Sequence, residues 1–407
     1  MTNYRRIEDE CIKQNELSKT LLDDFLIYYC TKRERIDKGV AKKLGHYRSI
    51  IQDMPEEWPF WFMSQYAAFR LFQKNGFARK YENHPAILSR SDDEKAFLSF
   101  QTEHPWRYSF CSVKGNPAHH FFEMADVLTS KEFLLYSPGL TEIVKQHGPI
   151  RMLFFLLGFN GLCWQTYGPH AYFRGLLASD LLFFAQQLNP NVVFMDQIPE
   201  LINRDPIPWA LLWKNGEIPL TFHKDDMVIL NCSEYHEENF EPDEYGHSFK
   251  IERKYPLYKL SLKRWDRFPH FACCYYHKKK NRLIISALTD RGYAKLSEAL
   301  GMIGYDLPES PEKRVTLAML QTVKEILGKD IQLNPYEKSF EEPVKQEDPQ
   351  ELEKINKFLR FLMDAHNTGQ KIDIDKFASS AGIDSETAQR FAEQVMKKIN
   401  RMPGKRN

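Results

Sequence analysis

Three groups of residues carry side chains whose types and spacing could do chemistry. His270, Cys273, Cys274 and His277 combine imidazoles with thiols, the ligands that zinc takes in a closed tetrahedral site. In an extended strand Cys273 and His277 share one face, while His270 and Cys274 share the other. One tetrahedron therefore requires the chain to bend here. Otherwise these are the buried thiols of a strand. His119, His120 and Glu123 form the second group. A histidine beside a carboxylate can act as a base or a ligand. On a strand His119 and Glu123 share a face, with His120 opposed to them. His223, Asp225 and Asp226 repeat that composition further along. Tyr167, His170 and Arg174 follow a central apolar hairpin, where a loop at a strand end is suited to rim a small-ligand pocket. Arg174 could clamp a carboxylate or phosphate through two parallel hydrogen bonds. The competing expectation is that it pairs with Asp180.

No glycine-rich phosphate loop, Cys-x-x-Cys pair or nucleophile motif is present in convincing form, so no cofactor is expected. Near the C-terminus, FASSAGIDSETAQRFAEQV resembles a helix-turn-helix core. Ala378, Gly382, Ala388 and Phe391 fall where that motif wants a small residue, a turn glycine and two buried residues. The resemblance implies that Ser385, Gln389 and Arg390 face the major groove, with the basic stretch Lys397–Arg406 on phosphates. Asp384 and Glu386 depart from a good DNA reader, because they would face the backbone and repel it.

These residues sit in a chain of 407 residues with 43% hydrophobic and 27% charged content and a net charge of +1. The length suits two or three domains. The charge gives no global field for nucleic acid or anionic membrane. Aromatic residues make up 14%, with 29 Phe and 19 Tyr, which predicts aromatic cores and an aromatic contact surface. Seven scattered cysteines suggest no disulfide framework, so a reducing, cytoplasmic setting is expected. The first residues lack the apolar core of a secretory signal. The longest uncharged run, between Arg151 and Arg174, is too broken by glycine, proline and polar residues to span lipid.

Hydrophobic spacing supplies the elements. Leu17, Leu21, Phe25 and Tyr28 recur at helical intervals, as do Val40, Leu44, Tyr47 and Ile51, and then Phe62, Tyr66, Phe69 and Phe72. Residues 1–103 therefore read as an aromatic-rich helical domain. From Gly148 to Pro190 the order is strand, turn, strand, loop, helix, with Ser179 as a possible cap. Phe271–Leu300 follows the same order, capped by Thr289-Asp290. Pro105-Trp106 and Pro208-Trp209 precede the two stretches, each before a strand-like run and a glycine turn. The pattern suggests two copies of one α/β module, over 104–191 and 192–332. Val315, Leu317, Leu320, Val323 and Leu327 read as one amphipathic helix. An acidic linker, 333–353, leads to a small helical tail domain, 354–407.

The expected architecture is α+β: a helical N-terminal domain, two possibly duplicated α/β modules and a small helical C-terminal appendage. The expected function is non-catalytic binding or scaffolding that engages a protein partner, with no membrane association and the oligomeric state open. The alternatives are a DNA-binding regulator acting through the tail and an enzyme with a pocket near His170 and Arg174.

Overall fold

The computed structural model describes residues 3–340 apart from 149, 306 and 309, and beyond them 354, 355, 357–362, 373–385, 387–389 and 392. Two compact units emerge, Met1–Tyr336 and Glu337–Asn407.

The first unit opens with helices. α1 (Tyr4–Ser18) runs through a π-helical stretch, Lys19–Ile27, into α2 (Tyr28–Arg33). α3 (Ile36–Gly45), α4 (Arg48–Ile51), α5 (Trp58–Phe72), α6 (Pro85–Leu88) and α7 (Asp92–Glu103) follow. Their apolar stripes face inward: Leu21, Val40, Leu44, Phe62, Tyr66, Phe69 and Phe72 are all buried in one core. α7 starts where it does because Ser91 and Glu94 cap each other's backbone amides, at 3.2 and 3.0 Å.

Next comes a closed barrel of β1 (Arg107–Ala118), β2 (Phe121–Asp126), β3 (Glu132–Tyr136), β4 (Met152–Phe159) and β5 (Trp164–Phe173), with α8 (Pro138–His147) between β3 and β4. The strand order is β1-β2-β3-β5-β4, with β1 also antiparallel to β4 and with β3 and β5 parallel. Alternation sorts the side chains. Cys111, Phe122, Met124, Leu135, Leu153, Phe155 and Leu157 fill the interior together with Leu140 of α8. Tyr108, Phe110, Met152, Phe154 and Leu156 face outward into the helical core.

α9 (Ala178–Leu188), α10 (Ile198–Arg204) and α11 (Ile207–Leu211) pack on that same core. A two-stranded ribbon, β6 (Phe222–His223) and β7 (Asp226–Met227), leads into an antiparallel sheet. Its strands are β8 (Ile229–His236), β9 (Phe249–Lys254), β10 (Leu257–Leu262), β11 (Cys273–His277), β12 (Arg282–Ala287) and β13 (Lys313–Thr316), ordered β13-β8-β12-β11-β10-β9. α12 (Asp290–Gly301), capped by Thr289, buries Tyr293, Leu296 and Leu300 against one face. α13 (Leu317–Leu327) follows β13 directly.

The α+β architecture and its helical beginning match expectation, but the two central blocks do not repeat one topology. One is a closed five-stranded barrel and the other an open six-stranded sheet. The tryptophans offered as landmarks differ in setting as well. Trp106 precedes β1 and stacks on Tyr167, whereas Trp209 lies within helix α11 and meets Phe184 edge-on. Pro208 suits an early helical position, where its missing N–H costs nothing. Two further readings are corrected. Val315 belongs to strand β13 rather than to the helix after it. Ser179 lies inside the first turn of α9, and the Leu177 amide is satisfied by Asp180 instead.

In the second unit, α14 (Ile374–Ala381) ends at Gly382 in a left-handed conformation. Phe358, Leu362, Ala378, Ala381, Ala388 and Ala392 form its small core.

Candidate functional site

The sequence candidates separate in space. Tyr167, His170 and Arg174 all belong to β5 or its end, but they share no pocket. Tyr167 turns to the helical side and stacks on Trp106 at 3.8 Å. His170 turns the other way, toward α8, while Arg174 is exposed. The expected Arg174–Asp180 pair does not form: the cation beside buried Asp180 is Arg314. The Asp180 carboxylate accepts from the Leu177 and Thr316 amides, at 3.1 and 2.8 Å, and from the Thr316 hydroxyl. It thereby joins α9 to β13. Burial pushes its pKa up to about 6 against the pull of these donors.

His119 and His120 lie in the turn between β1 and β2 rather than on a strand, and His120 has φ of 64°. The pattern expected of a strand is lost, because Glu123 sits across from Gly115 on β1. The two imidazoles lie 3.7 Å apart. His120 Nδ1 is 3.0 Å from the Thr141 hydroxyl of α8, and the Ser137 amide donates to the His120 carbonyl. Ser137 Oγ in turn lies 3.1 Å from His170 Nε2 and 3.0 Å from Thr166 Oγ1. Two sequence candidates, His120 and His170, thus meet in one polar network around the start of α8. A serine paired with a neutral imidazole has the composition of a nucleophile and its base. Burial lowers the His170 pKa to about 4, which keeps the ring neutral. The Ser137 hydroxyl, however, is fully buried and accepts from the Leu140 amide as the cap of α8. Its chemistry is spent on holding the helix against the barrel. A groove of about 340 Å³ lies alongside, lined by Val113, Phe122, Thr141, Val144 and Ile150.

His270, Cys273, Cys274 and His277 also part company. Cys274 is in the core under α12, Cys273 Sγ is 3.6 Å from the Phe271 carbonyl, and His277 packs on Tyr336. Among the described residues no group of three or more histidines, cysteines and carboxylates is placed to hold a metal ion. His270 instead donates to or accepts from the Thr289 hydroxyl at 2.7 Å and packs 4.6 Å from Trp265. Its pKa is lowered by burial, helped by the charges of Arg291 and Arg267 and by His223, with Asp226 opposing.

That histidine marks the base of a surface not anticipated from the sequence. The segment joining β10 to β11 is tied down by Ala272 N to Trp265 O and Leu262 N to Ala272 O, both at 3.1 Å. Arg291 lies over the Trp265 ring at 5.3 Å and reaches Asp226 at 3.7 Å. Above this base Phe268 and Phe271 are 60% and 42% exposed, with ring centroids 6.4 Å apart, and His223 meets Phe268 edge-on at 4.7 Å. Phe271 holds φ at +42°, a conformation that bulky side chains rarely adopt.

Ala378 and Ala388 are buried on either side of Gly382, and Ser385 and Gln389 are exposed. Asp384 accepts from the Thr387 amide and so starts the second helix. Arg390, Phe391 and the basic stretch 397–406 lie outside the described residues.

The barrel pairs its third and fifth strands in parallel and places α8 between its third and fourth. One end of the outer β2–β3 face is covered from within the chain, while Glu123 on the same face is exposed. Tyr4, Ile7 and Cys11 of α1 pack on Ala118, Phe121, Leu134 and Tyr136, with the Tyr4 and Phe121 rings 5.1 Å apart. Gln165 on β5 donates to the Cys11 carbonyl and to Asn15. No family model, no curated protein and no solved structure matches this chain. Among the described residues no helix is long and apolar enough to cross a membrane.

Proposed function

We propose that this chain is a non-catalytic binding protein that engages an acidic, apolar-tipped segment of a protein partner on the Phe268–Phe271 surface. The exposed, left-handed Phe271 carries this reading. Such a backbone costs on the order of 1–3 kcal/mol, and strain of this kind collects at ligand clamps. The ring is not fully buried in return, so the conformation serves to present it. Aromatic side chains, Phe among them, are enriched at protein interfaces relative to the rest of the surface. Charge supports an acidic partner. Asp226 and Asp266 are engaged by Arg291 and Lys259, while exposed Arg267 and Lys224 have no acidic partner among the described residues. With Asp225 alongside, this field is too sparse for a phosphate backbone, whose binding scales with the number of cations supplied.

The test compares cross-linked partners captured by the wild-type protein with those captured by Phe268→Ala/Phe271→Asn. A partner bound through this surface should bind the variant at least about thirty-fold more weakly, the loss of one aromatic hot spot or more. The melting temperature should hold or rise, because asparagine tolerates the left-handed region. Identical partners and affinities for both proteins would remove the proposal, as would recovery of nucleic acid alone.

A second reading, duplex DNA bound by the tail, is favoured by the buried Ala378 and Ala388 flanking left-handed Gly382, and by exposed Ser385 and Gln389. It predicts affinity that falls steeply as salt is raised. An absence of binding to any duplex at low salt eliminates it.

A further inference from the structure

We propose that Cys11 and Cys163 form a covalent modification site: a dithiol that peroxide oxidises to a disulfide, fastening α1 to the turn between β4 and β5. Their sulfur atoms stand 3.4 Å apart, both buried. A bond at about 2.05 Å needs a further approach of little more than an ångström, within the reach of side-chain rotation.

The turn is built to present Cys163. The Asn160 carboxamide oxygen accepts from the Leu162 and Cys163 amides, at 2.9 and 2.8 Å. Its nitrogen points at both sulfurs, 3.2 Å from Cys11 and 3.7 Å from Cys163, and donates to Gln165 Oε1. On the other side, Gln165 holds the Cys11 carbonyl at 3.0 Å. Both backbones are therefore fixed on either side of the sulfur pair. The hydrogen bonds to Cys163 favour its thiolate, with the Cys11 sulfur in contact beside it. A thiolate with a second thiol in contact is the pairing that closes to a disulfide, and because both sulfurs are buried, peroxide reaches them through local opening of the α1 contact.

In the reaction the Cys163 thiolate takes one oxygen of hydrogen peroxide to become a sulfenic acid. The other oxygen leaves as hydroxide and is protonated to water. The Cys11 sulfur then displaces the sulfenic hydroxyl, losing its own proton, and a second water departs. The two sulfurs give up two electrons and the peroxide gains them, so two thiols and one peroxide yield one disulfide and two waters.

The experiment uses the full-length protein, first reduced, then titrated with hydrogen peroxide, unfolded, alkylated and mapped by mass spectrometry without reduction. The expected product joins the tryptic peptide Ile7–Lys13 to Met152–Arg174, with two alkylation sites lost. Closing so long a loop should raise the melting temperature by about 5 °C or more. Cys11→Ser should instead leave a Cys163 sulfenic acid that dimedone traps. Three results overturn the proposal: both thiols remaining alkylatable throughout, Cys163 proceeding to sulfinic acid without a link to Cys11, or either residue pairing with another cysteine. The wild-type peptide map decides the matter even if a variant folds poorly.

Discussion

Replacing Trp106 with alanine is expected to cost about 4–5 kcal/mol of stability, at the upper end for a buried aromatic. Its ring is sandwiched by Tyr167 at 3.8 Å and Phe72 at 4.7 Å, so truncation removes two stacks as well as the buried area. Trp106 Nε1 also donates to Gln101 Oε1 at 2.6 Å, and the Gln101 nitrogen donates to the Phe159 carbonyl. Alanine would strand that carboxamide oxygen in the interior, which adds about 1–3 kcal/mol by itself. The unfolding midpoint in urea should fall with little change in slope. Trp106→Phe should fall between, keeping much of the stacking while losing the hydrogen bond. Gly158 supplies the internal check. A β-carbon there would lie 2.7 Å from Tyr167 and 2.8 Å from Trp106, so Gly158→Ala is disruptive alone. Combined with Trp106→Ala it should cost less than the sum, since the clash and the cavity share one space. Strict additivity of the two would mean that they do not meet.

This junction shows what local pattern could and could not reveal. The helical face of Phe62, Tyr66, Phe69 and Phe72 follows from spacing alone, because an amphipathic helix writes its period into neighbouring residues. The hairpin of β4 and β5 was similarly readable from its apolar runs and glycine turn. The ring closure was not, because the pairing of β1 with β4 and of β3 with β5 joins residues far apart in sequence. Strand β8, ILNCSEYH, carries a polar residue at almost every second position and lacks the apolar density that marked β4. Pro208-Trp209 misled because proline precedes strands and opens short helices alike. For the candidate sites the limit is stricter. His120 and His170 were visible as residue types, yet their meeting through Ser137 depends on how α8 seats on the barrel. Nothing local connects Cys11 to Cys163. The exposure of Phe268 and Phe271 is a property of the folded surface, and composition signalled only that some aromatic surface should exist.

The second large effect concerns acid stability, where two buried groups should oppose each other. In the fold Asp180 has a pKa of about 6, raised by burial. Between the ordinary carboxylate value near 4 and pH 6, the folded chain holds a proton that the unfolded chain has released. Its contribution is complete below that lower value and is lost as pH rises through 6, by roughly 3 kcal/mol. His170 behaves in the opposite sense. Burial lowers it to about 4, so between pH 4 and its ordinary 6.5 the unfolded chain binds a proton that the folded chain does not. That contribution is present above 6.5 and disappears as pH falls to 4, again by roughly 3 kcal/mol. The windows overlap and the slopes have opposite signs, so these two groups together should leave the wild-type protein nearly indifferent to pH between 4 and 6.5. Single substitutions should uncover each slope. Asp180→Asn leaves the His170 slope unopposed, so its stability should rise by roughly 3 kcal/mol from pH 4 to 6.5 while wild type stays nearly flat. After subtraction of wild type, that rise is the Asp180 contribution with its sign reversed. His170→Asn leaves the Asp180 slope unopposed, and stability should decline by roughly 3 kcal/mol from pH 4 to 6.5. Urea midpoints collected at half-unit pH steps would read this directly. A flat His170→Asn profile would show that Asp180 titrates alike in the folded and unfolded chains, with Thr316 and Leu177 as sufficient partners for its charged form.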